Sequence, residues 1–259
     1  MKLHSVLLAS ACVFALAAPA SAQVSGNAAL GYAHTQIPGD SINQGILNGS
    51  FATPLSDSGI NLEGDAGFDR LSDSVGANTV WNLGATGFWS NDTFRAGATV
   101  NYTDVKFGSD SGSINFVNYG AFGEFFLDSF TLGAKGGGFS GSDSLNGTYV
   151  GGEAVGYAMP DLAFSGTVDY TKLNLSTVDF NETDFTVQGE WLFSEETPLS
   201  IYGGYTHTSF TGAQSGDGNT VFVGIRFYFN PTGTASLEQR QRTGSVGWGA
   251  AFQPLGASL

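Results

Sequence analysis

Near the end of the chain His207, Thr208 and Ser209 stand just ahead of Asn219. A serine that can attack an ester, a histidine that can take its proton and an amide that can orient the histidine are the residue types of acyl-transfer chemistry. A second grouping is ionic. Glu63, Asp65, Glu124, Glu153, Asp169, Asp184 and Glu190 are spread along the chain with Arg95, Lys135 and Arg226 among them. Opposed charges of this kind, facing each other across water, sort small ions and solutes by field rather than by bond making. Metal and phosphate chemistry find less support. The histidines beyond the first few residues, His34 and His207, offer no metal-ligand spacing. Asp179, Asn181, Thr183 and Glu190 imitate a calcium loop, yet Asp184 occupies the position that needs glycine. Gly133 to Gly138 around Lys135 lacks the Ser or Thr that a phosphate loop places after its lysine. Neither a metal nor another cofactor is expected.

The elements that must position these residues are strands. Stretches of about ten residues alternate apolar and polar side chains, which is the pattern of a transmembrane β-barrel. They run at 24–34, 43–53, 59–69, 78–89, 93–106, 113–127, 130–140, 146–158, 161–173, 182–193, 199–210 and 219–229. Compact turns built on Pro54 to Ser58, Ser90 to Thr93, Asp128-Ser129, Met159-Pro160 and Ser194 to Pro198 separate them. These turns alternate with polar stretches that predict longer loops on the opposite rim. Pro38, Pro54, Pro160, Pro198 and Pro231 all fall in connectors or at strand ends, where a missing N–H breaks no ladder. The expected fold is an all-β, antiparallel transmembrane barrel of about twelve strands with a polar lumen.

Parity then assigns the faces, since residues two apart in a strand point the same way. One parity carries Leu30, Leu62, Trp81, Leu83, Val100, Tyr119, Phe125, Phe164, Val187, Trp191 and the run Val221, Val223, Ile225, Phe227 and Phe229. The other carries the ten ionic residues above. A charge facing the membrane midplane costs on the order of 2 to 4 kcal/mol, so the ionic parity must line the lumen. Counted this way the pore wall holds seven carboxylates against three cations. Inward Gly97, Gly120, Gly133, Gly137, Gly151, Gly204 and Gly224 predict space between the walls. A barrel of twelve strands is wider than the eight-stranded kind that side chains just fill.

The ends of the chain set the compartment. Residues 1–22 carry one lysine, an apolar run from Leu3 to Ala18 and an Ala20-Ser21-Ala22 ending, the layout of a secretory signal peptide. Leu8 to Cys12 faintly resembles a lipoprotein cleavage box, but the apolar run continues past it. Cys12 is the single cysteine, so cleavage would leave no disulfide, thiolate ligand or thiol nucleophile. Residues 23–229 form the barrel. Residues 230–259 form a tail, expected to be a periplasmic extension, with a basic segment folded into the lumen or a further strand from Gly244 to Phe252 as alternatives. A formal charge of -14 argues against nucleic acid or anionic phospholipid as partners.

The closing run Val221-Phe222-Val223-Gly224-Ile225-Arg226-Phe227-Tyr228-Phe229 resembles the C-terminal strand of Gram-negative outer-membrane β-barrel proteins, porin-like members included. That resemblance implies a bacterial outer-membrane location, with membrane lipids and lipopolysaccharide around the wall. It also implies recognition of Phe227 and Phe229 by the barrel-assembly machinery. The tail that follows departs from the family, in which this strand is usually last. His207, Ser209 and Asn219 resemble the His-x-Ser and downstream Asn of outer-membrane phospholipases, although the surrounding residues do not follow that family.

The expected function is a passive porin for small hydrophilic solutes with a mild cation preference, not an enzyme. Its pore would be lined by Glu63, Asp65, Arg95, Glu124, Lys135, Glu153, Asp169, Asp184, Glu190 and Arg226. Two other readings stand beside it. One is a closed structural or surface-interaction barrel whose acidic loops, bearing Asp40, Asp69, Asp73, Asp110, Asp143, Asp179 and Asp217, bridge to lipopolysaccharide through divalent cations. The other is a lipid hydrolase.

Overall fold

The computed structural model describes residues 24–55, 58–73, 76–108, 112–175, 178–212, 215–229 and 235–244. The expected signal peptide, Cys12 and the possible strand after Gly244 lie outside them. Twelve strands follow in order: β1 (Ser25–Ile37), β2 (Asp40–Pro54), β3 (Ile60–Ser72), β4 (Ala77–Ser90), β5 (Phe94–Lys106), β6 (Ser113–Leu127), β7 (Phe130–Gly141), β8 (Leu145–Met159), β9 (Leu162–Leu175), β10 (Val178–Leu192), β11 (Leu199–Gly212) and β12 (Gly216–Phe229). A short helix, α1 (Leu237–Thr243), comes after them. Each strand pairs antiparallel with its sequence neighbours, and β1 pairs with β12 from Gly26 opposite Phe229 to Gln36 opposite Asn219. Closure leaves no sheet edge, which is what a β-structure in hydrocarbon requires.

Alternation decides the two faces as expected. Leu30, Leu83, Val100, Phe125, Phe164, Phe185, Val221 and Ile225 stand exposed on the outside, Leu83 by 61%. Inward residues, including Glu63, Asn82, Thr86, Asn101 and Asn118, are buried. Such a surface would be an aggregation hazard in water and is a lipid contact in a membrane.

The expected asymmetry of connectors is absent. One rim has connectors at 55–59, 91–93, 128–129, 160–161 and 193–198; the other has 38–39, 73–76, 107–112, 142–144, 176–177 and 213–215. The two sets have similar lengths because the strands of the second set run on through residues that look like loop from their polarity. Strands of 12 to 15 residues exceed the roughly 9 to 11 that a tilted strand needs to cross hydrocarbon. The rim carrying 55–59, the N-terminal end of β1 and the C-terminal end of β12 is called the turn rim below, and the opposite one the far rim. Some expected loop acids are consequently wall residues: Asp40, Asp179 and Asp217 lie in strands, and Asp69 faces inward, 1% exposed. Asp110 and the Asp143 side chain lie outside the described residues.

Leu83 sits midway along β4 on the lipid face. Leu83→Arg should destabilise the folded barrel by about 2 to 4 kcal/mol, read as a lowered urea midpoint for unfolding from phospholipid vesicles. The same substitution at inward Gly84 is not equivalent, because that face is polar.

Candidate functional site: a charged chamber inside the barrel

The lumen has three tiers. At the far rim, inward Ile42, Leu71, Val80, Val105, Phe116, Phe139, Leu145, Tyr149 and Leu173 form one buried apolar cluster drawn from eight strands, β2 to β9. Ile37, Phe107, Ile114 and Phe180 pack against it. The polar lumen thus belongs to the middle and the turn-rim end. This tier escaped the parity analysis, although a signal for it exists: near the far rim the phase of the alternation inverts. On β4, Leu83 faces out and Asn82 in, but three positions nearer the far rim Thr79 faces out and Val80 in. On β5 the same change separates outward Tyr102 from outward Lys106, with Val105 turned inward. The inversion marks where the outer environment stops being lipid.

Below the apolar tier lies a chamber of about 510 Å³. Its walls carry Arg95, Lys135, Arg226 and Arg242 against Glu124, Glu153, Asp169 and Glu190. Ion pairs tie most of these together. Arg95 meets Glu124 at 2.5 Å, Lys135 meets Asp169 at 2.9 Å and Arg226 meets Glu190 at 2.5 Å. Glu190 also accepts hydrogen bonds from Ser200 at 2.6 Å and from the Tyr228 hydroxyl at 2.7 Å. The Arg226 guanidinium lies 4.8 Å from the centre of the Tyr202 ring, a cation–π contact. The Lys135–Asp169 pair depends on the residue between them. Lys135, Gly151 and Asp169 are directly opposed on β7, β8 and β9, and a Cβ on Gly151 would come within 1.8 Å of the Asp169 carboxylate.

Gly97, Gly120, Gly137, Gly204 and Gly224 correct the expectation that the inward glycines open the pore. Rings lie across four of them, Tyr149 over Gly120 and Gly137, Phe222 over Gly204 and Tyr202 over Gly224, while a Cβ at Gly97 would meet the Gly87 carbonyl and the Phe88 Cβ. Glycine here lets a ring lie flat on the wall of a twisted sheet, so it fills space instead of vacating it. Of the ten expected pore residues, seven line the chamber: Arg95, Glu124, Lys135, Glu153, Asp169, Glu190 and Arg226. Glu63 and Asp65 do not. They are 1% and 2% exposed in the wall layer of β3, where Asp65, Gly84, Asn101 and Asn118 form one row across four strands. Asp184 accepts a hydrogen bond from Thr208 at 2.5 Å and is likewise outside the lining. Inward Asp69 and Glu182 add two buried carboxylates that the sequence assignment omitted.

The third tier is α1, from the described part of the tail. Helix α1 does not extend away from the barrel; it is seated in the turn-rim mouth. Ser236 caps it, accepting from the Gln239 backbone while the Gln239 side chain accepts from the Ser236 N–H. Leu237 is fully buried with Ala163, Leu192 and Tyr228. Arg242 donates to the carbonyls of Leu127 and Phe130 at 2.6 and 2.8 Å, and Arg240 to that of Glu195 at 2.8 Å. Gln241 donates to Glu190. From below the chamber Arg95 reaches the carbonyls of Gln241, Arg242 and Gly244. A guanidinium at the end of a helix satisfies carbonyls that have no partner within it and meets the negative end of its dipole.

The would-be hydrolytic trio is brought together only in part. His207 Nδ1 and the Tyr205 hydroxyl both meet Asn219 Oδ1, yet Ser209 makes no bond to His207 among the described residues. The same arrangement recurs on β1 and β2, where Tyr32 and His34 both meet Asn43 Oδ1. There Gln36 takes the place of Ser209. A repeat without the nucleophile fits an interfacial aromatic girdle with polar caps.

Arg95 is the joint between wall and plug. Arg95→Ala removes one ion pair of buried Glu124, a loss of about 3 to 5 kcal/mol by analogy with other broken buried pairs, and frees the carbonyls of Gln241, Arg242 and Gly244. Trypsin acting on the folded barrel should then cut after Arg240 or Arg242, bonds that the parent protein protects; mass spectrometry of the released tail reads the outcome.

No family model matches this chain, and no curated protein does. Solved structures do. An outer membrane channel from Pseudomonas putida F1 aligns with a TM-score of 0.60 at 15% identity, covering 82% of this chain and 97% of that one. The translocator domain of the autotransporter NalP from Neisseria meningitidis gives 0.53 at 13% identity over 87% and 96%. The KdgM porin in complex with oligogalacturonate gives 0.51 at 10% identity over 78% and 99%. At these identities the likeness is one of fold, and the chain has the porin-like fold of the outer-membrane β-barrels.

Proposed function

We propose that this protein is a bacterial outer-membrane channel for small hydrophilic solutes, held closed at rest by its own C-terminal helix. The charged chamber carries this reading. Four cations and four carboxylates around empty volume would be a costly way to build a solid wall, since each ion is stable only while paired or hydrated. Water in the chamber supplies that hydration. The plug suits a gate, because α1 follows the last strand and can leave without breaking any ladder. Withdrawal removes Arg242 from the lining, so the open chamber is acidic by one charge, with Glu63, Asp65, Asp69, Glu182 and Asp184 behind it. A mild cation preference follows. The apolar tier at the far rim acts as a hydrophobic constriction, which opens and closes by wetting. Phe227 and Phe229 keep the outward parity that recognition by an assembly machinery would need.

A second reading, a closed structural barrel, draws its support from that same apolar tier. Planar-bilayer recordings separate the two. The full-length mature chain should open rarely, whereas a chain ending at Phe229 should give frequent steps whose reversal potential in a KCl gradient favours cations, less so in Glu153→Gln. Silence from both, with each barrel shown folded by heat-modifiable migration on a gel, would favour the structural barrel.

A further inference from the structure

Beyond the signal peptide the chain has eight lysines and arginines. Arg95, Lys135 and Arg226 face the lumen, and Arg240 and Arg242 belong to α1. The remaining three, Arg70, Lys106 and Lys172, are all exposed, all on the outer face and all at the far rim. Acids alone mark the opposite end: Asp92, Asp128, Asp161, Glu195 and Glu196 lie in the turn-rim connectors. Among the described residues the outside of the barrel thus carries its cations at the far rim alone, where outward Asp104, Asp179 and Asp217 also stand.

Two of the three far-rim cations share a site. Arg70 and Lys106 are both directly opposed to Thr79, from β3 and β5 respectively, and the row continues to Ser113 on β6. In the other direction it runs to Gly45 and Tyr32. All six residues hold the outward parity. Adjacent strands are about 4.8 Å apart, so the two cation backbones stand about 10 Å apart, with the Thr79 hydroxyl between them. Neither Arg70 nor Lys106 makes an ion pair among the described residues. Gly45 leaves open space beside Arg70, since a Cβ there would meet nothing within 4 Å. Asp104 is the single carboxylate on the outer face of β2 to β6; it lies one step below Lys106, opposite Trp81, with its Oδ1 buried. Immediately beneath the row come Trp81 and Tyr102, whose ring centres are 5.3 Å apart, and then the lipid-facing Leu47, Leu83 and Val100.

We infer that this row is a binding site for a phosphorylated glycolipid of the outer leaflet, the lipid A portion of lipopolysaccharide. Arg70 and Lys106 hold its phosphates, Thr79 and Ser113 donate hydrogen bonds to them, and the acyl chains lie on the apolar wall below. Phosphate matches the guanidinium fork and the ammonium as no neutral sugar does. The aromatic pair sits at the boundary between headgroup and hydrocarbon, where amphipathic rings collect. The direct contact replaces the divalent-cation bridge expected from acidic loops, because Asp69 is buried and Asp104 is the one carboxylate on the outer face beside this row. It also orients the barrel, with the far rim outward and α1 toward the periplasm. The inference does not depend on conduction.

Native mass spectrometry of the detergent-solubilised mature protein tests it, titrating diphosphorylated lipid A, dephosphorylated lipid A and phosphatidylglycerol. The parent should bind the diphosphorylated lipid at least tenfold tighter than either of the others. In the double variant Arg70→Gln and Lys106→Gln the preference should fall about tenfold, while Lys172→Gln, on the other side of the barrel, keeps it. Heat-modifiable migration shows that each variant is folded. Undiminished preference in the double variant, or equal binding of the dephosphorylated lipid, overturns the site. Equal binding of phosphatidylglycerol reduces it to general attraction for anionic lipid and overturns the glycolipid assignment.

Discussion

The seam between β1 and β12 is the constraint on which the rest depends. In hydrocarbon an unpaired backbone N–H or C=O has no water to turn to, so a sheet of this length must close. The pairing that begins with Gly26 opposite Phe229 satisfies that demand, and it fixes everything that follows. With the sheet closed there are only two faces, one of them is lipid, and every charge in the membrane span must go to the other. Ion pairs inside the barrel are therefore a consequence of closure as much as of function.

A twelve-stranded ring creates a second problem, a lumen wider than side chains from the wall can fill by facing each other. This chain meets it differently at each height. At the far rim, large apolar residues from eight strands converge. In the middle, rings lying across glycines thicken the wall and leave the chamber to one side. At the turn rim, wall residues alone do not suffice, and the chain's own continuation enters. The helix is too short to be stable by itself, since isolated helices need about 12 to 15 residues even with favourable sequences. Its seven residues are held by Leu237 in an apolar pocket and by guanidinium groups that exchange bonds with backbone carbonyls in both directions: Arg95 donates to the helix, while Arg240 and Arg242 donate to the rim.

Strands and faces were legible because they rest on local periodicity. Proline and glycine punctuate the connectors, and the outward assignments from Leu30 to Phe227 follow from parity without knowledge of any neighbour. What could not be read was nonlocal. Gly120 looks like vacant space until Tyr149, two strands away, is known to lie on it. Glu63 looks like pore lining until its burial is seen. The tail has no period that announces its place, because its partners are the carbonyls of turns, and a carbonyl has no sequence signature. The far-rim tier is an intermediate case: the inversion of phase on β4 and β5 is present in the sequence, but it is hidden when one parity is assumed to hold from end to end.

That inversion ties the interior to the exterior. Where lipid surrounds the wall, the apolar residues must face out and the polar ones in, and the lumen is necessarily hydrophilic. Once the wall rises past the hydrocarbon, the requirement lapses, and the sheet can behave like a soluble barrel with an apolar core and a polar coat. Val105 and Lys106 are neighbours in sequence, both past this boundary and on opposite faces of the wall, one in the stopper and one in the row of Arg70 and Thr79. The apolar constriction and the outer basic row thus arise from a single change of solvent at the same height, and neither could be moved along the strands without moving the other.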